Sequence, residues 1–271
     1  MRIVLRTSRW ALLARRLGSV AVPLVFISVM LHRMRLITGD VFAVAAVVAG
    51  VVSLLAVLSG IVALRSLWQS GDQGWSHAFA GLFLGLVCLI PFGWYANLAR
   101  LYPPVTDIAT TDRALLPLVF EPGTQAMPPP RLLSPQAMAE TFPDVATRTY
   151  PLGVSPTFAL VEALARENGW DIRLLRQPGS FGQINGQVMT PPGWREEAVV
   201  RVTGTAETAS VDMRSASLHA THDFGSNGQR IETFLSALDD AVTALLRDNP
   251  AANQPIEPEP EPVPEAEPPT Q

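Results

Sequence analysis

The side chains best suited to chemistry are concentrated in one short stretch near the C-terminal end of the chain. This stretch contains carboxylates, arginines, serines and histidines: Asp212, Arg214, Ser215, Ser217, His219, His222, Asp223, Asn227 and Arg230. Side chains alternate between the two faces of a strand, so Asp212 and Arg214 should point away from Ser215 and Ser217. The whole set can meet at one point only if the strand bends.

An anion or lipid headgroup is the ligand that this composition favours. Arg214 and Arg230 would lie beside the first backbone amides of the last predicted helix, where the helix dipole attracts negative charge. We therefore predict a ligand-binding site from six residues: Asp212, Arg214, Ser217, Asp223, Asn227 and Arg230.

The same residues also have a purely structural interpretation. Asp212 and Arg214 would form ion pairs with sheet neighbours such as Arg201 or Glu197. Asp223 and Asn227 would cap backbone groups in the turn before the helix, with a positive φ at the glycine between them.

Two catalytic alternatives use the histidines and serines. His219 and His222, with the adjacent Asp223, could bind a divalent metal, although the wider ligand set of a zinc motif is missing. Ser215 or Ser217 could serve a hydrolase, but no Gly-x-Ser-x-Gly elbow surrounds either serine. We assign no catalytic residue and no cofactor.

Local patterns predict the elements that position these residues. Ser155 and Pro156 begin a helix that ends at Gly169, and alternation from Trp170 to Leu174 begins a series of four strands. The last two strands flank a hairpin at Gly204-Thr205-Ala206, and an apolar helical stripe from Ile231 to Leu245 follows. This order predicts an α+β two-layer sandwich, with helix, four antiparallel strands and helix, over residues 152–248.

Three apolar segments precede this domain and are predicted to span a membrane, at about residues 17–36, 41–64 and 78–99. The first also resembles a signal peptide, but His32-Arg33-Met34-Arg35 stands where a cleavage site would require small residues. We therefore predict a bundle of three transmembrane helices within residues 1–100.

The distribution of arginine predicts the orientation of the bundle. Five arginines crowd the N-terminus, at positions 2, 6, 9, 15 and 16, which favours a cytoplasmic N-terminus. Three spans then place the soluble domain in the periplasm, and the protein would be a multi-pass protein of the bacterial inner membrane. If the first segment does not cross, the domain is cytoplasmic instead.

Two proline-rich regions flank the predicted domain. Residues 101–151 are expected to form an extended arm. Residues 249–271 alternate proline with glutamate and are expected to form a disordered tail, which offers an acidic surface to a protein partner. Without the five tail glutamates the chain is close to neutral, so a nucleic-acid partner is not predicted.

Several motifs together resemble an uncharacterised family. They are Tyr102 to Asp112, Gly169-Trp170, Val211 to Ser217, Asp223 to Asn227 and Arg230-Ile231. Over about residues 101–240 they are similar to domain of unknown function 1499 (DUF1499). Its members occur behind membrane segments or export signals, and the resemblance implies no established activity. The chain departs from the family pattern at Leu218, at Gln183-Ile184-Asn185 and at Glu196-Glu197.

These observations predict a membrane-anchored protein whose extracytoplasmic domain binds a lipid, another ligand or a partner of the cell envelope. The alternatives are a hydrolase using residues 212–230 and a structural assembly platform.

Overall fold

Three long helices open the chain in the computed structural model, which describes residues 6–119, 129–177, 179 and 181–249. They are α1 (Arg9–Arg33), α2 (Gly39–Ser70) and α3 (Trp75–Leu101). All three are long and apolar enough to cross a membrane. Together they indicate a membrane protein. The first helix begins ahead of its predicted span, because Ala11 and Ala14 are buried against the other helices.

Glycines allow the three helices to approach one another closely. A Cβ added at Gly81 of α3 would overlap the backbone of Ala14 on α1. A Cβ added at Gly85 would lie 2.9 Å from the carbonyl oxygen of Ser53 on α2. Small residues at helix contacts are typical of membrane bundles, where close backbone packing replaces the hydrophobic driving force.

The remaining chain forms an antiparallel sheet with helices. The elements are β1 (Asp107–Ala109), a 3-10 turn (Arg113–Leu115), α4 (Pro135–Thr141), β2 (Arg148–Tyr150), α5 (Val154–Glu167), β3 (Asp171–Arg176), β4 (Gly182–Met189), β5 (Arg195–Gly204), β6 (Ala209–Ser217) and α6 (Ser226–Asp248). The strand order is β1-β6-β5-β4-β3, and β2 also pairs with β6. The predicted α+β class, with an antiparallel sheet behind three apolar helices, is confirmed.

The main core lies between one face of the sheet, here called the inner face, and the helices α5 and α6. Phe158 and Val161 of α5 and Phe234 and Leu235 of α6 pack there against the strands. Residues 113–119 lie across the opposite, outer face.

The sheet has six strands, two more than the sequence predicts. The additional strands β1 and β2 come from the proline-rich arm and pair with different parts of β6. Each is only three residues long, which is too short for an alternating pattern to be recognised. Ile108 and Phe142 of the arm are buried in the core.

Two local predictions require correction. The helix predicted from Ser155 begins at Val154, and Gly153 occupies the N-cap position. The alternation predicted from Trp170 to Leu174 is broken by a register shift between Ile172 and Leu174. Leu175 therefore packs against the core, and Leu174 is exposed.

The connection between the bundle and the domain is short. Tyr102 to Thr106 separate the end of α3 from the start of β1. Val105 and Thr106 are themselves buried, and the backbone N–H of Asp223 donates to the carbonyl of Val105. The domain is thus joined closely to its anchor.

Candidate functional site

The six predicted ligand-binding residues are divided between the two faces of the sheet. Asp212 and Arg214 point to the outer face, whereas Ser217 points to the inner face and contacts Asn227 and Glu196. The strand does not bend enough to bring them together. The six residues therefore do not form a single site, as the alternation of side chains along a strand predicts.

On the outer face, Arg214 is held by the arm. Its Nε and Nη2 donate to the two carboxylate oxygens of Asp107, at 3.0 and 2.8 Å. Asp212 accepts hydrogen bonds from the hydroxyls of Thr110 and Thr147, at 3.2 and 2.6 Å. The expected pairing with Arg201 or Glu197 is wrong, because the arm strand β1 places Asp107 beside Arg214.

The backbone of residues 113–119 covers this outer face. Asn185 donates to the carbonyl of Pro117 at 2.9 Å, and Arg201 donates to the carbonyl of Leu115 at 3.1 Å. The N–H of Val119 donates to Glu197 at 2.5 Å. Burial raises the pKa of the Glu197 carboxyl. These polar side chains are therefore occupied in holding the chain's own backbone.

On the inner face, a buried ion pair joins the sheet to the last helix. Glu196 of β5 accepts from Arg230 of α6 through one oxygen. Its other oxygen accepts from the hydroxyls of Ser217 at 3.0 Å and Ser226 at 2.5 Å. Glu196 is opposite Ser217 in the sheet register. Glu196 was not among the site residues predicted from the sequence.

Asn227 and Ser215 complete this network. Asn227 accepts from the Ser215 hydroxyl at 2.8 Å and donates to Ser217 at 3.0 Å. Arg230 donates to Ser215 at 2.7 Å. Both serines are buried, at 0% and 1% exposure, so a substrate has no access to either hydroxyl.

The turn before α6 has the predicted capping chemistry. Asp223 accepts from the N–H groups of Gly225 and Asn227, at 2.9 and 3.2 Å, and Gly225 has a φ of +82°. Burial raises the pKa of Asp223 to about 6. The carboxylate of Asp223 thus already lies where an anion at the start of this helix would bind.

The histidines are not arranged as a metal site. Nδ1 of His222 accepts from the backbone N–H of Phe224 at 2.9 Å, and the two rings stack with centroids 4.4 Å apart. Within the described part of the chain, no group of three or more His, Cys, Asp or Glu side chains could hold a metal ion. The geometry therefore gives the metal interpretation of His219 and His222 no support.

The domain contacts the bundle through an aromatic cluster. Trp194, in the loop between β4 and β5, lies edge-on to His32 of α1 and Phe42 of α2, at centroid distances of 4.8 and 5.6 Å. His32 donates through Nδ1 to the carbonyl of Pro192 at 2.8 Å, and Arg33 donates to the carbonyl of Pro191 at 2.7 Å. These bonds fix the loop on the ends of the two helices.

A second contact joins the turn before α6 to the third helix. Phe224 lies edge-on to Tyr95 of α3, with ring centroids 5.0 Å apart. Phe224 has a φ of +55°, a strained conformation for a bulky residue. The hydrogen bonds made by Asp223 hold it there.

An apolar cavity lies between these two contacts. Its volume is about 420 Å³, and its walls include Val29 of α1, Ala46 of α2 and Phe92 of α3. The domain lines one side of it with Trp194 and Phe224. The lining is almost entirely apolar, and we call this space the junction cavity.

Comparison with known proteins addresses the identity of the domain. Residues 124–238 match the model of a family described as a protein of unknown function, DUF1499. The predicted resemblance is confirmed. No curated protein matches the chain.

The region that matches the DUF1499 model lines the junction cavity on the side of the domain, which we call the roof of the cavity. It does not form the walls. Trp194 and Phe224 fall within the matched residues, whereas α1, α2 and α3 precede them. The match begins at residue 124, later than the expected start at about 101, so it excludes β1 and its Asp107.

The contribution of the loop that contains Trp194 was not predicted from the sequence. A signal was present, because Pro191-Pro192-Gly193-Trp194 places a large aromatic residue in a tight turn between two strands. An aromatic residue at such a turn has no core to enter within its own sheet. It therefore indicates a contact with another part of the protein.

Proposed function

We propose that this protein is a membrane-anchored lipid-binding module, in which the domain and its own anchor together hold the apolar chain of one membrane lipid in the junction cavity. The observation that supports this proposal is the lining of the cavity. Residues of all three helices and of two loops of the domain line it together. The volume of about 420 Å³ falls within the ~300–1,000 Å³ range of small-molecule sites.

The depth of the cavity fits one leaflet of a bilayer. Its lining on α2 runs from Phe42 to Ala49, which is about 10 Å along a helix that rises 1.5 Å per residue. One leaflet of a hydrocarbon core of about 30 Å is about 15 Å thick. A chain entering below the domain would thus remain at the depth that it occupies in the bilayer.

The lining also offers a lateral route from the bilayer. Ala43 of α2 and Pro91 of α3 line the cavity and are exposed. In a membrane, these surfaces would face acyl chains. A lipid could therefore enter sideways without passing through water.

Several predicted site residues support the roof of the cavity. Asp223 fixes the turn that carries Phe224, and Asn227 and Arg230 fix the start of α6 to the sheet. In this proposal they position the roof and do not touch the lipid. The hydrolase alternative would need an accessible nucleophile, and the buried Ser215 and Ser217 do not provide one.

Native mass spectrometry of the full chain, released from detergent, tests the proposal. The wild type should retain one lipid. Ala46→Phe places a ring in the cavity and should abolish retention, whereas Val47→Phe, at an exposed position on the same helix, should leave retention unchanged.

Failure of the wild type to retain lipid would contradict the proposal. Equal retention by wild type and Ala46→Phe would also contradict it. A thermal melt of each variant checks folding, and Ala43→Leu provides a smaller cavity-filling change if Ala46→Phe is unstable.

A further inference from the structure

Two basic side chains lie next to the roof of the junction cavity. His222 stacks on Phe224, which lines the cavity, and the side chain of His222 is 19% exposed. Arg131 is exposed. Its backbone carbonyl accepts from the N–H of Thr106 at 3.0 Å, and its N–H donates to the Thr106 hydroxyl at 2.9 Å.

The backbone brings Arg131 and His222 to the same edge of the domain. Thr106 binds Arg131, and the preceding Val105 accepts from the N–H of Asp223, the residue after His222. The pKa of His222 is lowered by burial and, second, by the positive charge of Arg131. The two groups are therefore close enough to interact electrostatically.

One carboxylate lies beside this pair, since an oxygen of Asp223 is 4.0 Å from Nδ1 of His222. Among the described residues, no carboxylate forms an ion pair with Arg131. The carboxylate of Asp223 accepts from two backbone N–H groups, and that of Glu196 is paired with Arg230. An exposed arginine that has no carboxylate partner in the described part of the chain is suited to bind a phosphate through two parallel hydrogen bonds.

We propose that Arg131 and His222 bind the phosphate of the lipid whose chain fills the junction cavity, so that the ligand is an anionic phospholipid of the bilayer. This inference rests on the proposed function. It adds a headgroup site outside the six residues that the sequence indicated. The apolar chain lies beneath Phe224, and the phosphate lies on the other side of that ring, beside His222.

Competition between two lipids tests the inference. The full chain in detergent is equilibrated with equimolar dioleoyl phosphatidylglycerol and dioleoyl phosphatidylcholine, which share their chains and differ in net charge. Native mass spectrometry then counts the retained lipids. The wild type should favour phosphatidylglycerol by about fivefold, the size expected for one arginine beside an anionic lipid.

Arg131→Gln should reduce this preference to near parity while one lipid is still retained. Arg131→Lys should keep most of the preference, because it preserves the charge. Arg65→Gln, on an exposed position of α2 near its C-terminal end, is the matched control and should behave as the wild type.

The outcomes separate the two proposals. Equal retention of both lipids by the wild type would overturn the headgroup assignment and leave chain binding intact. An equal loss of preference in Arg65→Gln and Arg131→Gln would also overturn it, since a general charge effect would then be sufficient. No lipid on the wild type would overturn the proposed function itself.

Discussion

The buried pair of Glu196 and Arg230 joins the sheet to the last helix. Both side chains are largely removed from water, with exposures of 1% and 14%. Removing one partner leaves the other charge buried and unpaired. Such a change costs about 3–5 kcal/mol, much more than the loss of an exposed pair.

Arg230→Met should therefore lower the melting temperature of the full chain in detergent by about 6–12 °C, taking ~3 kcal/mol and ~2–4 °C per kcal/mol. Arg166→Met breaks an exposed pair with Glu162 on α5 and should cost no more than ~0.5 kcal/mol. Similar melting temperatures for the two variants would show that the inner network contributes little.

Asp223 should make stability depend on pH. Its pKa is raised from 3.8 to about 6 by burial, so the folded state binds the proton at higher pH than the unfolded chain. The stability that this proton contributes is complete below pH ~4 and is lost as the pH rises through about 6. At ~1.4 kcal/mol per pKa unit the effect is ~3 kcal/mol.

Asp223→Asn removes this charge and isolates the effect. The melting temperature of the variant relative to the wild type should be highest near pH 7 and should fall as the pH is lowered to 4. A difference that is constant across this range, or that grows toward low pH, would contradict the assignment.

Local residue patterns predicted local chemistry well and long-range partners poorly. The caps made by Asp223 and the positive φ of Gly225 follow from residues within one turn, and both are observed. The partner of Arg214 could not be predicted in the same way. Asp107 lies more than one hundred residues earlier and reaches Arg214 only because β1 joins the edge of the sheet.

Among the elements, the long helices can be predicted from the sequence, whereas the shortest strands cannot. The apolar runs of α1, α2 and α3 and the helical stripe of α6 each extend over many residues, so the sequence predicts these helices directly. The three-residue strands β1 and β2 have no detectable period and form because β6 offers them an unpaired edge. The register shift in β3 is likewise a property of its pairing with β4.

Close packing of α1 against α3 should be sensitive to a single side chain. Gly81→Val would place a branched side chain against the backbone of Ala14 and should lower the melting temperature or separate the helices. Gly93→Val, on the same helix, is the matched control, because a Cβ there meets nothing within 4 Å. Equal tolerance of both substitutions would show that α1 and α3 are not packed in this way.

In the whole molecule, the domain lies at the end of the bundle that carries the loop between α1 and α2. The excess of arginine at the other end predicts that the domain lies outside the cytoplasm. A single cysteine introduced at Glu207 should therefore react with an impermeant maleimide in spheroplasts, in a Cys88→Ala background. A cysteine at Gln69 should react only after permeabilisation, and the reverse pattern would place the domain in the cytoplasm.

The short connection from α3 to β1 limits how far the domain can act from the bilayer. Even if Tyr102 to Thr106 detached and extended fully, five residues at ~3.6 Å each would reach only about 18 Å. The domain therefore cannot move far from the membrane or reach a distant structure.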